Sequence, residues 1–271
     1  MKPMFTLIAG LMAVGSAQAQ ACTPAHTFET VEPGYLTQAV VTYMPYSALD
    51  TEGNPIGVEG EIIKKIAEME CLKVKAVPVD SAASMNYVIG KRADLTTGGY
   101  YRTAARAKVL ALSDPLYLDQ LAIVSKDGLA DFDILGGKSV GTVQGDLWVA
   151  DLKSVYGGDL KLYPKLPQLQ QDMEAGRLDA MIVSYSVFVT LQQAGKLEGF
   201  KAVVPHPDTR IGASVESGQG MVPMNLANTA LVEAINADIA ELHKSGFIAE
   251  TLVKFGLPGE AANTGAPRLL N

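Results

Sequence analysis

The sequence predicts an α/β protein of two lobes, which are joined by two chain crossings and enclose a central cleft. Three observations predict this fold class. Strand-like and helix-like segments alternate in two separate stretches of the chain. An extended apolar segment, "YLDQLAIVSKDG", connects the two stretches. A second connection, "PHPDTRIGASVESGQGMVPM", is rich in Gly, Pro and Ser and leads to a final pair of helices.

The first stretch is predicted to run strand, helix, strand, helix, strand. Its first helix shows apolar residues at positions 62, 63, 66, 67 and 69, which form one helical stripe. The strand that follows it alternates between apolar and polar residues. In chain order the five segments are "YLTQAVVTYMPYSAL", "EIIKKIAEME", "LKVKAVPVD", "SAASMNYVIGKR" and "ADLTTGG".

The second stretch repeats this plan with three strands, "SVGTVQ", "LKLYPK" and "LDAMIVS", each followed by a helical segment. In both stretches a helix closes with Gly and a basic residue before an Asp enters a strand, in "IGKRADL" and "EAGRLDAM". The echo favours two related lobes, although a common helix-to-strand join explains it equally simply. The final helix pair has a buried stripe of Leu231, Ile235, Ile239 and Leu242, and we expect it to pack on the first lobe.

The ends of the chain and its charge set further bounds. The basic Lys2, an apolar run and small residues predict a signal peptide over residues 1–21, with cleavage after Ala19 or Ala21. A net charge of −7 argues against nucleic acid as a partner. The domains are predicted at 36–117 and 222–257 for lobe 1, 124–207 for lobe 2, 118–123 and 208–221 for the crossings, and 258–271 for a disordered tail.

The cysteines and histidines predict a disulfide but no metal centre. Cys22 and Cys71 are expected to pair in an oxidising compartment, the alternatives being two free thiols or a lipidated Cys22. The three histidines, His26, His206 and His243, are scattered and show no metal-ligand spacing. The sequence therefore predicts neither a metal nor another cofactor.

The stretch "GGYYRTAARAKVLALSDPLY" is a candidate anion site. Its glycines follow a predicted strand, at the sheet edge where open α/β sheets bind ligands. Thr103 suits the N-cap of a short helix, which places Arg106 in the first helical turn. A cation there is unfavourable for the helix dipole unless an anion lies beside it. Arg106 is therefore either a contact for a carboxylate or phosphate or a solvated charge, and Arg102 is either a second anion contact or a solvated charge.

Four segments together resemble a known family. "GKRADLTTGGYYRTAARAKVLALSDPLYLDQLAIVSKDG" resembles the signature region of the bacterial periplasmic solute-binding proteins of the polar amino-acid uptake family, family 3. "IGVEGEIIKKIAEMECLKVKAVPVD", "DMEAGRLDAMIVS" and "ALVEAINADIAELHKSGFIAETLVKFG" resemble it in order and spacing, so that the resemblance covers residues 36–257. It implies the type II periplasmic-binding-protein fold, in which two lobes close over a small ligand.

The resemblance also implies a ligand site. Arg106 corresponds to the arginine that pairs with the ligand carboxylate, and Tyr43 or Tyr46 to the aromatic residue that covers the ligand. Asp146 is expected to cap the helix of the second-lobe turn "QGDLW". The full set of expected ligand-binding residues is Arg106, Tyr101, Gly99, Tyr43, Tyr46, Leu147, Trp148, Ser184 and Glu59, with no catalytic residue and no metal ligand.

One departure from the family pattern leaves the ligand open. Ser184 stands where the amino-acid binders usually carry an Asp for the ligand ammonium, and a buried ammonium without a partner is costly. The aromatic residues would suit a ring, a long apolar stem or an amine, or they serve ordinary packing.

The resemblance implies a monomeric receptor in the periplasm that delivers a small carboxylate-bearing metabolite to the membrane permease of an ABC importer. The alternatives are a cyclohexadienyl-dehydratase-like enzyme, for which Glu59, Asp80 and Asp119 are candidate acids, and a partner that presents ligand to a sensor or chemoreceptor.

Overall fold

The computed structural model describes residues 22–144 and 146–270. The predicted signal peptide, residues 1–21, lies outside the described residues. In the described part of the chain, no helix is long and apolar enough to cross a membrane.

The first lobe contains the strand–helix alternation that the sequence predicts. Strands β1, β4 and β5 are parallel, with β1 between the other two. The elements, in chain order, are β1 (Tyr35–Val40), β2 (Ala48–Leu49), β3 (Pro55–Ile56), α1 (Gly57–Met69), β4 (Lys73–Pro78), α2 (Ser81–Ile89), β5 (Leu95–Thr97), β6 (Tyr100–Tyr101), α3 (Ala104–Ala107), β7 (Ala111–Leu112) and β8 (Tyr117–Asp119).

The second lobe has its own sheet, with strand order β11-β10-β12-β9-β13. The strands β11, β10 and β12 are parallel, while β9 and β13 are antiparallel to their neighbours. The elements are β9 (Leu121–Ser125), β10 (Val140–Val143), α4 (Val149–Tyr156), β11 (Leu160–Tyr163), α5 (Leu166–Glu174), β12 (Ala180–Ser184), α6 (Tyr185–Gln193), β13 (Lys201–Val203) and α7 (Gly212–Val215).

The chain then returns to the first lobe through β14 (Gly218–Met221), β15 (Pro223–Met224), α8 (Thr229–Lys244) and α9 (Phe247–Lys254). Strand β15 enters the first sheet, whose order is β4-β1-β5-β15-β7. Residues Leu231, Ile235, Ile239 and Leu242 of α8 are buried in one core with Leu36 of β1. The predicted packing of the helix pair on the first lobe is therefore confirmed.

The two crossings lie side by side. Strand β8 enters the second lobe directly through β9, and β14 pairs antiparallel with both β8 and β6. Helix α6 of the second lobe also contacts the first lobe, since Thr190 Oγ1 donates to the Met44 carbonyl at 3.1 Å. The fold has the two lobes and two crossings that the sequence predicts, and the cleft lies beside the crossings.

The C-terminal segment from residue 258 to residue 270 is ordered, contrary to the prediction of a disordered tail. Ala261 is buried in the core of the first lobe, within a 3-10 turn over Gly259–Ala262. The Gln219 side chain donates to the carbonyls of Thr264 and Ala266, each at 2.9 Å. The Leu270 carbonyl accepts from Ala104 N at 2.9 Å. The position at the end of the chain suggested disorder, but these side-chain and backbone contacts with distant residues hold the segment in place.

The predicted disulfide is confirmed. Cys22 and Cys71 are bonded, with their Cα atoms 5.7 Å apart and a separation of 49 positions in the sequence. The bond excludes both free thiols and a lipidated Cys22 in this structure. It fixes the N-terminal segment against the end of helix α1.

Candidate ligand-binding cleft

Two buried carboxylates, Glu59 and Asp119, form what we call the cleft floor. Glu59 lies in the first turn of α1, and its side chain is fully buried. It accepts hydrogen bonds from Gly98 N at 2.8 Å, Gly99 N at 3.2 Å and the Tyr117 hydroxyl at 2.6 Å. Burial raises the pKa of Glu59, and these three donors limit the rise. Glu59 therefore fixes the backbone of Gly98 and Gly99, which we call the glycine loop.

Asp119, at the end of β8, is the second carboxylate of the cleft floor. It accepts from the Tyr46 hydroxyl at 2.9 Å, from Ser186 Oγ at 3.1 Å and from the Tyr101 hydroxyl. Burial raises the pKa of Asp119, and these hydroxyl groups oppose the rise. Because the donors come from both lobes, Asp119 ties the crossing to the lobes on either side of it.

Arg106 lies on α3 at the edge of this floor. Thr103 Oγ1 accepts from Arg106 N at 3.2 Å, which confirms the predicted N-cap. The guanidinium is half-buried, donates to the Tyr101 carbonyl at 2.6 Å, and lies 5.2 Å from the Tyr100 ring centre. Among the described residues, no carboxylate lies within 4.0 Å of it. Burial lowers the pKa of Arg106, because a half-buried guanidinium without a counter-ion is less favourable than one in water.

Arg102, which precedes the same helix, has another role. Its guanidinium donates to the carbonyls of Leu112 at 3.1 Å, of Ser113, and of Arg268 at 3.4 Å. These acceptors lie on the β7 end and on the C-terminal segment. Arg102 is therefore neither an anion contact nor a solvated charge, because its N–H groups donate to backbone carbonyls within the fold.

Tyr43 forms an aromatic wall above the glycine loop, with its side chain 38 % exposed. Its ring lies against Gly99, where an added Cβ would approach the ring to 2.5 Å. Gly99 also has φ of +69°, a conformation that glycine adopts without strain. The chain therefore needs glycine here for two reasons, the backbone conformation and the close approach of Tyr43.

The second lobe contributes Asp146, which lies in the turn between β10 and α4. Helix α4 begins at Val149, so that Asp146 is not its N-cap, contrary to the prediction. The Asp146 carboxylate is half-buried; the Thr142 hydroxyl donates to it at 3.5 Å, and the Val143 backbone also lies within reach of it. Burial raises the pKa of Asp146 to about 6, and the charge of Asp119 adds to the rise. Asp146 thus keeps free acceptor capacity.

The expected ligand-binding residues fall into two groups. Arg106, Tyr43 and Leu147 have accessible side chains, and Leu147 is 53 % exposed. The others have their polar atoms or their surface engaged inside the protein: Glu59, Gly99 N, Tyr46, Tyr101, Trp148 and Ser184.

Tyr46 and Trp148, two residues of the second group, are buried inside the lobes. Tyr46 is 1 % exposed and stacks on Tyr117 with ring centres 4.3 Å apart. Trp148 is 7 % exposed, and its Nε1 donates to Thr142 Oγ1 at 2.9 Å within the second-lobe core. Both side chains therefore support the cleft from inside the lobes.

Asp146 and Ser186 are not among the ligand-binding residues that the sequence predicts, and Asp119 is predicted only as a candidate acid for an enzyme. The position of Asp119 at the end of a predicted crossing was a usable signal, since both lobes meet there. No sequence signal pointed to Ser186, which reaches Asp119 only because α6 folds back on the crossing.

The described chain thus forms two lobes joined by two paired crossings, with a half-buried guanidinium that has no carboxylate partner among the described residues. The family model "Bacterial extracellular solute-binding proteins, family 3" matches residues 37–258, and the chain belongs to this family. The family membership and the fold class that the sequence predicted are thereby confirmed.

Named relatives agree with this assignment. The chain is 27 % identical over 210 residues to the L-cystine-binding protein TcyJ of Escherichia coli (strain K12), covering 76 % of each chain.

Two solved structures share the fold. The second substrate-binding domain of the GlnP protein of Lactococcus lactis, in its open conformation, has a TM-score of 0.69 and 21 % identity, over 84 % of this chain and 98 % of that one. The second substrate-binding domain of a putative amino acid ABC transporter from Streptococcus pneumoniae has a TM-score of 0.68 and 20 % identity, over 82 % and 99 %.

Proposed function

We propose that this solute-binding protein is the extracytoplasmic receptor of an ABC importer and that it binds an amino acid in the cleft, with the ligand carboxylate at Arg106. The observation that carries the proposal is the half-buried guanidinium of Arg106, which has no carboxylate partner among the described residues. A guanidinium with free N–H groups in such a place matches the geometry of a carboxylate. The similarity to an L-cystine-binding protein and to a substrate-binding domain of a putative amino acid transporter supports the ligand class.

We infer that Asp146 receives the ligand ammonium. Ser184 does end β12 without a carboxylate, but the second lobe supplies one from the neighbouring turn. Of the two aspartates near the cleft, Asp119 is engaged by three hydroxyl groups, whereas the one side chain that donates to Asp146 among the described residues is Thr142, at 3.5 Å. A ligand cation would offset the burial that raises the pKa of Asp146. An α-ammonium is therefore compatible with this site despite Ser184.

Tyr43 and Leu147 would contact the ligand side chain. Both are exposed, and they come from different lobes. A ligand between them would bury apolar surface on both sides, which favours the closed arrangement of the lobes. We propose that the closed form is recognised by a membrane permease.

We also propose that the cleft performs no chemistry. A general acid needs a proton to give, but the Asp119 oxygens accept hydrogen bonds from Tyr46, Tyr101 and Ser186. Glu59 is shielded from the cleft by the backbone of the glycine loop. Asp80, the third candidate acid, instead accepts from Ala83 N as the N-cap of α2.

The test is a titration calorimetry screen of residues 22–271 with the common amino acids and L-cystine. Each hit is repeated with the analogue that lacks the ammonium and with the amine that lacks the carboxylate. Both analogues are expected to bind more weakly than the amino acid.

The variants assign the two charged contacts. Arg106→Ala should cost about 2–5 kcal/mol for any carboxylate ligand, since it leaves a desolvated carboxylate unpaired. Arg92→Ala is the matched control, because Arg92 is exposed and stacks on Tyr87, 3.9 Å from the ring centre. Unchanged affinity in Arg106→Ala would overturn the carboxylate assignment. Equal affinity for the amino acid and the analogue without the ammonium would overturn the role of Asp146.

A further inference from the structure

A second polar site lies away from the cleft, in what we call the rear cluster: His26, Glu70 and Asp238. His26 Nδ1 lies 2.6 Å from Glu70 Oε1 and 3.7 Å from Asp238 Oδ1. One ligand atom from each residue lies within 4.8 Å of the other two. The three residues come from the N-terminal segment, the end of α1 and the middle of α8.

The Asp238 carboxylate is buried, and its ion-pair contact among the described residues is the distant His26 Nδ1, at 3.7 Å. Its side chain is 1 % exposed, and in the described part of the chain neither of its oxygens accepts a hydrogen bond. No Lys or Arg nitrogen of the described residues lies within 4.0 Å of Asp238 or Glu70. A buried carboxylate in this state costs several kcal/mol unless a cation or a proton compensates it.

We propose that the rear cluster is a binding site for a divalent metal ion of the zinc type, with His26 Nδ1 and one oxygen each from Glu70 and Asp238 as ligands. One imidazole and two carboxylates are a ligand set that zinc takes, whereas calcium and magnesium prefer oxygen ligands alone. A charge of +2 would neutralise the two carboxylates.

The geometry is close to that of a bound ion. A tetrahedral ion with bonds of about 2.0–2.1 Å separates its ligand atoms by roughly 3.3 Å. The distances from His26 Nδ1 to the two carboxylate oxygens, 2.6 and 3.7 Å, lie on either side of that value. Changes of roughly 0.7 and 0.4 Å would bring these two distances to that value, and the two carboxylate oxygens lie within 4.8 Å of each other.

The site is open on one side. The His26 side chain is 36 % exposed, and His26 and Glu70 line a pocket of about 600 Å³. Water can therefore reach the fourth position of the ion, and the ion has an entry path. The surrounding structure holds the cluster in place, since the disulfide joins Cys71, next to Glu70, to Cys22, four residues before His26. His26 N also donates to Glu70 Oε2 at 2.9 Å.

The first measurement is a calorimetric titration of ZnCl₂ into EDTA-treated protein, residues 22–271. The wild type is expected to bind one zinc ion at this site. His26→Ala should weaken binding by at least about 100-fold, since loss of even an outer-shell partner costs about 10- to 100-fold. His206→Ala is the matched control, because His206 forms an exposed pair with Asp131 at 2.7 Å and lies outside the rear cluster. It should retain the site.

A second variant separates a metal site from a shared proton. Asp238→Asn removes the buried negative charge, so that the metal-free protein should melt at the same temperature as the wild type or higher. ZnCl₂ should raise the melting temperature of the wild type and of His206→Ala, but not that of Asp238→Asn. No zinc binding by the wild type, or equal zinc binding by the wild type and His26→Ala, would overturn the proposal. Neither result would bear on the ligand cleft.

Discussion

The cleft floor and the rear cluster each contain two buried carboxylates, but the carboxylates differ in how many hydrogen bonds they accept. Glu59 and Asp119 each accept three hydrogen bonds from protein donors. Asp238 accepts none from the described residues. A carboxylate whose lone pairs are engaged is part of the scaffold, whereas one with free capacity is a place where a cation can bind.

The same distinction separates Arg102 from Arg106, which lie on either side of Thr103. Arg102 donates to three backbone carbonyls. Arg106 is half-buried, and its guanidinium donates to one carbonyl among the described residues, that of Tyr101. Sequence position alone made the two arginines equivalent candidates. The difference in their remaining donor capacity supports the proposal that Arg106, rather than Arg102, contacts the ligand.

The largest effect on stability is expected from Glu59→Ala. It leaves Gly98 N, Gly99 N and the Tyr117 hydroxyl without their acceptor, and each buried donor left unpaired costs about 1–3 kcal/mol. We expect the free energy of unfolding to fall by about 3–5 kcal/mol in urea denaturation. Glu52→Ala, at an exposed position, should change it by less than about 0.5 kcal/mol. Comparable values for the two variants would show that Glu59 is not a scaffold residue.

The next effect belongs to the rear of the lobe. The double variant Cys22→Ser/Cys71→Ser opens a loop between residues 49 positions apart, and the free energy of unfolding should fall by about 2–4 kcal/mol. Because the disulfide holds His26 beside Glu70, the same variant should bind zinc more weakly than the wild type. The wild type under reducing conditions provides the control for the disulfide itself. Zinc affinity equal to that of the wild type would show that other contacts position His26.

Arg102→Ala sharpens the comparison of the two arginines. It leaves the Leu112, Ser113 and Arg268 carbonyls without this donor, and unfolding free energy should fall by about 1–3 kcal/mol. Ligand affinity should stay within about threefold of the wild type, a change smaller than 1 kcal/mol. Denaturation and calorimetry on one preparation give both values. A large loss of affinity at unchanged stability would place Arg102 in the binding site.

The smallest effect is a pH dependence of ligand binding through Asp146. Its pKa of about 6 lies above the ordinary value, so the unliganded carboxyl is ionised above pH 6 and takes up a proton below it. An ammonium prefers the ionised form, and affinity should therefore fall by about tenfold between pH 7.5 and pH 5. The control is Asp146→Asn, which should bind more weakly at pH 7.5 and show no such fall. A flat profile in the wild type would exclude Asp146 as the ammonium partner.

Much of the fold was predictable because it depends on local signals. The stripe of Leu231 and Ile235 predicted α8, and the Thr103 cap predicted α3. The errors occurred where distant contacts decide the structure. The position of the tail at the end of the chain suggested disorder, but Gln219 binds the tail carbonyls. Asp146 looked like a helix cap, but the helix starts later, at Val149.

The candidate site was predictable only in part. Arg106 follows from its place after a strand and within a capped turn. The aromatic candidates were harder to assign, since a tyrosine looks the same in sequence whether it covers a ligand or fills a core. Tyr43 is exposed, while Tyr46, three residues later, is stacked on Tyr117 and bonded to Asp119.

The sequence by itself determined the α/β class and the two-lobed plan, because periodicity and turn residues are local properties. It favoured a disulfide between Cys22 and Cys71 over free thiols or a lipidated Cys22, and the structure confirmed that bond. Only the tertiary structure decided which charged side chains are hydrogen-bonded within the fold and which keep free donor or acceptor capacity. His26, Glu70 and Asp238 are far apart in the chain, and no spacing rule connects them. Their proximity, like the difference between Arg102 and Arg106, depends on how distant segments pack, because burial and hydrogen-bond partners are properties of the folded chain.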